Sequence, residues 1–134
     1  MTQIPFDPNA NILIFRCRVE YESIITLYLA LDTGASNVII SREASVNLGY
    51  NLELTPEQTT ISDASTSHLV PVVTLKSFRL ADATVENIQA LCYTIPEELG
   101  IDGVIGLNFL RHFNVNLDFE KGILTLNRIR KKFT

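Results

Sequence analysis

The sequence predicts a mainly β chain with one or two short helices, and three features predict it. Apolar residues recur with period two over several stretches, as they do in strands with one buried face. Short polar or glycine-containing turns separate those stretches at hairpin distance. Only two segments, residues 42–48 and 107–113, read as helices.

Taken in order, residues 15–21 alternate. Phe15, Cys17, Val19 and Tyr21 share one face; Arg16, Arg18 and Glu20 share the other. Glu22 and Ser23 supply a turn, and residues 24–31 form a second strand ending at Asp32, so the two read as a hairpin. Residues 33–37 are small turn formers, followed by the apolar run Val38, Ile39 and Ile40. Ser41 caps a helix that runs to Leu48 and stops at Gly49. Leu52 and Leu54 open another extended region.

Residues 59–63 and 69–75 read as two strands around a small hydrophilic tip, Ala64, Ser65, Thr66 and Ser67. Pro71 marks an edge or a strand start. Residues 76–80 continue, 81–83 turn, and 85–95 return. A loop over 96–100 leads to Asp102-Gly103-Val104-Ile105-Gly106, and Asn114 ends the helix that follows. Val115, Leu117 and Phe119 then alternate with polar residues, and Lys121-Gly122 turns the chain into a terminal hairpin.

The 134 residues are expected to form one domain, 1–134, with its core over about 12–126. At 46% hydrophobic and 19% charged, the composition is that of a globular chain. A net charge of −4 argues against an obligate nucleic-acid partner, which needs a basic face. The one basic cluster, Arg128, Arg130, Lys131 and Lys132, reads as a solvated tail. No uncharged run approaches a membrane span, and the N-terminus has no apolar signal core, so no membrane partner and a cytoplasmic location are expected. Cys17 and Cys92 lie outside any CxxC pair; a disulfide between them stays open, but both read as reduced core residues. With two histidines, the sequence offers little to a metal, and neither metal nor cofactor is expected.

The chemistry concentrates at Asp32. The strand before it, Leu27-Tyr28-Leu29-Ala30-Leu31, is too apolar to lie wholly on the surface, so Asp32 sits at a partly covered turn. A carboxylate there costs free energy unless it is hydrogen-bonded or shares a proton. Gly34 permits an unusual turn and lets backbone N–H groups approach the carboxylate. An ordinary strand-ending turn would also use Asp and Gly. A second feature adds weight: Val104, Ile105 and Gly106 form an apolar pair closed by glycine, leading into a helix.

Asp32-Thr33-Gly34-Ala35, with an apolar strand before it and Val38-Ile39-Ile40 after it, resembles the active-site loop of the retropepsin-like aspartic proteases. Val104-Ile105-Gly106 resembles that family's second signature, and the strand–tip–strand of residues 59–75 falls where the family carries its flap. The resemblance implies a closed acid-protease barrel, with Asp32 as the catalytic carboxylate. It further implies that the Thr33 hydroxyl bridges two active-site loops, that Gly34 and Ala35 complete the loop, and that Val104, Ile105 and Gly106 support it. Ala64, Ser65, Thr66 and Ser67 would form the flap tip, here without the glycines common in family flaps.

Metal-free peptide hydrolysis needs an activated water and a proton donor, which two carboxylates sharing one proton supply together. This chain has one such motif, so the expected species is a homodimer that contributes Asp32 twice and takes an extended peptide or protein substrate. Asp102 is the intrachain rival but lacks the Thr-Gly that should follow it. Leu31, Val38 and Ile105 are candidate pocket or support residues, and His68 reads as an exposed loop residue. The alternatives are a non-catalytic dimerisation or peptide-binding module on the same fold, and a nucleotide-binding Asp-x-Gly turn, for which the chain lacks a second domain.

Overall fold

The computed structural model describes residues 1–62 and 66–130. Among these residues ten strands run in order: β1 (Thr2–Pro5), β2 (Ile14–Glu20), β3 (Ile24–Leu31), β4 (Val38–Ile40), β5 (Gln58–Ser62), β6 (Ser67–Leu80), β7 (Ala83–Cys92), β8 (Gly103–Ile105), β9 (Phe113–Asp118) and β10 (Ile123–Arg128). Two short helices, α1 (Arg42–Leu48) and α2 (Leu107–Leu110), complete the set with two 3₁₀ turns.

Six strands close a barrel in the order β2-β3-β8-β4-β7-β6, and antiparallel pairing of β2 with β6 joins the ends. Closure leaves these strands without open edges. β5 extends the sheet from β6 as an arm, and β1, β10 and β9 form a separate antiparallel sheet.

The alternation in β2 works as the sequence implies. Phe15, Cys17 and Val19 are buried, while Ile14, Arg16 and Arg18 face out. Inside the barrel, Phe78 and Phe109 meet at 4.7 Å between ring centroids, and Phe109 and Phe113 at 5.1 Å. Both cysteines are buried and free. Ser41 caps α1 by accepting the Ala44 N–H at 3.1 Å, and Gly49 ends it at φ 109°, a conformation that favours glycine.

Several elements differ from the sequence reading. β1 was not anticipated; it pairs with β10 from Thr2↔Leu126 to Pro5↔Ile123, so ordered structure begins before residue 12. Leu52–Leu54 is a 3₁₀ turn rather than an extended start, because the Asn51 side chain accepts the Glu53 N–H and curls the chain. Residues 67–80 form one strand, the continuation of 69–75 through 76–80 that the sequence implies, but it starts two residues earlier, at Ser67. Pro71 tolerates its missing N–H because β6 pairs there only with β5, and the ladder to β7 begins at Val72. The second helix stops at Leu110, and Phe113 opens β9 with its ring in the core. His68 lies within β6, half-buried, with its ring 5.4 Å from that of Tyr93.

Of the tip residues, Thr66 and Ser67 are described and exposed; Ala64 and Ser65 lie outside the described residues. So do Lys131 and Lys132 of the basic cluster. Arg128 is no solvated tail: its guanidinium donates to the Thr84 carbonyl and stands 4.9 Å from the centre of the Phe113 ring. Among the described residues, no helix is long and apolar enough to cross a membrane.

Candidate active site

The two sequence motifs meet because β8 is inserted between β3 and β4. It runs parallel to β3, with Leu31 opposite Ile105, and antiparallel to β4, with Ile39 opposite Val104. The Asp32 N–H extends the first ladder by one bond, donating to the Ile105 carbonyl at 3.1 Å. The following turn closes when the Ala35 N–H donates to the Asp32 carbonyl at 3.2 Å.

Beyond the turn, the start of α2 is stitched to the loop. Leu107 N–H donates to the Ala35 carbonyl at 2.9 Å, and Asn108 N–H to that of Ser36 at 3.1 Å. Gly106 is required at this crossing, because a Cβ there would collide with the backbone of Asn37. Gly103 is required one layer lower, against the backbone of Ile39. Val104, Ile105 and Gly106 are all buried and frame the loop.

The Asp32 carboxylate is half-buried and accepts the Gly34 N–H at 2.9 Å. Gly34 does not adopt a positive φ, contrary to the unusual turn expected of it. Its value is closeness: an added Cβ would come within 3.2 Å of Asp32 Oδ1. Thr33 and Gly34 are exposed, and Ala35 is half-buried. Asp102, the rival carboxylate, is committed elsewhere. Its Oδ2 accepts the Tyr28 N–H at 2.8 Å, its own N–H donates to the Tyr28 carbonyl at 2.8 Å, and its carbonyl accepts from Ser41. It staples β3 to the start of α1.

Asp32 stands where two clefts meet. One, of about 450 Å³, runs between the loop residues Ser36 and Asn37 and the β5 arm at Thr59, Thr60 and Ser62. The other, of about 560 Å³, is apolar and walled by Leu13, Leu31, Ile39, Ile61, Tyr93 and Leu99, among others. In both, Asp32 is the only charged side chain among the described lining residues. The arrangement offers one acid at the edge of an apolar pocket and beneath an extended arm.

A model of the aspartyl protease family matches residues 19–109, more than half of the chain. The chain belongs to the aspartyl protease family. No curated protein matches it significantly. Among solved structures, a retropepsin-like aspartic protease from Rickettsia conorii superposes with a TM-score of 0.73 at 22% identity, over 95% of this chain and 91% of that one. The EIAV protease, solved with an inhibitor bound, gives a TM-score of 0.57 at 14% identity, over 77% of this chain and 88% of that one. At such identities the likeness is one of fold, and the fold of this aspartyl protease family member is the retropepsin-like barrel.

Of the other sequence candidates, Leu31 lines the apolar cleft, whereas Val38 and Ile105 are wholly buried core. Sequence reasoning passed over Asn108. It is a polar residue set between apolar Leu107 and Phe109 in a motif otherwise packed inside, and that contrast was the available signal. Leu13, Ile61 and Tyr93 were also missed as pocket walls, since they come from distant segments. Among the described residues, no three His, Cys, Asp or Glu side chains gather where a metal could be held.

Proposed function

We propose that this family member is an aspartic endopeptidase whose working species is a two-fold homodimer, with one Asp32 carboxylate from each chain. The observation that carries the reading is the placement of Asp32. Among the described lining residues it is the sole charged group at the junction of two clefts, while Asp102, another acid near the motif, is bound to backbone. A second carboxylate within reach must then come from a second copy. The reading gives Thr33, which is exposed, the contact with the partner loop.

In that dimer, one Asp32 accepts a proton from water while the other donates one to the scissile carbonyl oxygen. The water attacks the carbonyl carbon, and the proton taken from it passes to the departing amine. The Gly34 N–H keeps the carboxylate oriented. The peptide lies extended beneath the β5 arm, which offers strand-like backbone groups, and an apolar side chain enters the cleft of Leu31, Ile39 and Leu99. The pair works carrying one proton, so activity falls where both acids are protonated and where neither is. Ala64, Ser65, Thr66 and Ser67 complete the reading as the tip of the covering flap.

The test is Asp32→Asn assayed against a peptide library, with sedimentation velocity on the same samples. The proposal expects loss of cleavage by at least ~10³-fold with dimerisation kept. Equal cleavage by both proteins would refute it; a dimer that binds peptide without cleaving it, wild type included, would favour a non-catalytic module.

A further inference from the structure

The barrel carries a second recess, on the outer face of β2 and away from Asp32. It measures about 400 Å³, is walled on one side by Ile4, Pro5 and Ile14, and receives three arginines: Arg16, Arg18 and Arg79. Arg16 and Arg18 are two residues apart on the outward face of β2, and Arg18 lies directly opposite Arg79 on β6. Like charges placed directly opposite across a strand pair are destabilising. The arrangement is the more unusual in a chain of net charge −4, which has acids to spare.

Two acids, on β2 and in the β6–β7 turn, are engaged by hydroxyls. Glu20, also on β2, accepts the Ser77 hydroxyl at 3.2 Å, and Asp82 accepts that of Thr2. Among the described residues, the Arg16 and Arg18 side chains have no hydrogen-bond or ion-pair partner. Arg79 is held in place instead: its Nε donates to the Ala81 carbonyl at 2.6 Å. Ala81 is itself at φ 53°, a conformation rare for a side-chain-bearing residue. That value belongs to the two-residue hairpin turn Ala81-Asp82, across which Leu80 pairs with Ala83. The pinned guanidinium keeps its two terminal nitrogens for another acceptor, although Asp82 lies near enough to feel its charge.

We propose that the recess is a binding site for a multiply charged oxyanion, held by the guanidinium forks of Arg16, Arg18 and Arg79. Guanidinium groups match phosphate and carboxylate oxygens in pairs. Such an anion relieves the Arg18–Arg79 repulsion, and the volume lies within the range of small-molecule sites. Phosphoryl and polycarboxylate ligands share this chemistry. The site is independent of the reading of Asp32.

The experiment titrates the full-length protein with inorganic pyrophosphate and, separately, with citrate, at ionic strength held constant by sodium chloride. Thermal midpoint and calorimetry are the readouts. At a probe concentration about 100 times Kd, the midpoint rises by about 5 °C or more. The probe that binds identifies the source class. Arg18→Gln and Arg16→Gln abolish the rise, while Arg111→Gln and Asp32→Asn keep it. Without probe, Arg18→Gln melts no lower than wild type, since it removes a repulsion. Failure of both probes to exceed the chloride control, or an unchanged response in both arginine variants, would overturn the site.

Discussion

Asn108 holds Val38: its Oδ1 accepts the Val38 N–H at 2.8 Å, and its Nδ2 donates to the Gln89 carbonyl at 2.8 Å. One amide thus ties α2 to the first residue of β4 and to β7, immediately below the Asp32 loop. The bond sets where the loop ends and the barrel begins.

Asn108→Ala leaves the Val38 N–H without its acceptor in a part-buried place. The expected cost is about 1–3 kcal/mol, read as a lower urea midpoint with an unchanged slope. Asn108→Asp retains the acceptor toward Val38 but sets a carboxylate oxygen against the Gln89 carbonyl, so it too is less stable than wild type. Equal stability in all three proteins would show that the amide is ornamental.

Gly106→Ala drives a Cβ into the backbone of Asn37, which cannot rotate away as a side chain could. Overpacking of this kind costs about 1–3 kcal/mol, and backbone on the receiving side places it at the upper end. Gly100→Ala is a contrast, because a Cβ there meets nothing within 4 Å; its φ of 65° leaves only local strain. Thermal midpoints of the two variants should differ by several degrees, with Gly106→Ala lower.

Burial pushes the Cys17 thiol from its ordinary 9.0 up to about 12. The fold accepts the neutral thiol, so the associated stability is complete below pH 9 and is lost as pH rises toward 12. Burial also raises Cys92, against the lowering effect of its bond from Ser45 and of Arg42. Urea midpoints measured from pH 8 to 11 should fall, and fall less in Cys17→Val. Both thiols should resist alkylation at pH 8 until the chain is unfolded; rapid labelling of the native protein would contradict their enclosure.

Leu99 is 45% exposed and lines the apolar cleft beside Asp32, so it separates binding from folding. Leu99→Asp should leave stability within about 0.5 kcal/mol. It should lower kcat/KM about 10-fold or more for peptides with a large apolar residue at the cleaved bond. An unchanged specificity profile would place that side chain in another pocket.

The sequence made the barrel legible wherever one strand face is buried against the core. The hairpin of β2 and β3, the cap at Ser41 and the stop at Gly49 follow from alternation and turn chemistry alone. β1 stayed hidden because Thr2-Gln3-Ile4-Pro5 has four residues and a proline; only its pairing with β10 makes it a strand. The short α2 was overextended because Phe113 suits a helix face as well as a strand core. At the site, Asp32 and its glycine-closed support were readable from adjacency in the chain. The apolar cleft was not, since Leu13, Ile61 and Tyr93 converge only through β8 and the β5 arm.

The most direct measurement mixes chains. Wild type and Asp32→Asn are co-refolded at equal amounts and fixed total concentration, and cleavage is compared with wild type alone. If each active unit takes one Asp32 from each of two chains, random pairing leaves about a quarter of the activity. A loss of only half, linear in the wild-type fraction, would mean that a single chain cleaves by itself and would contradict the account.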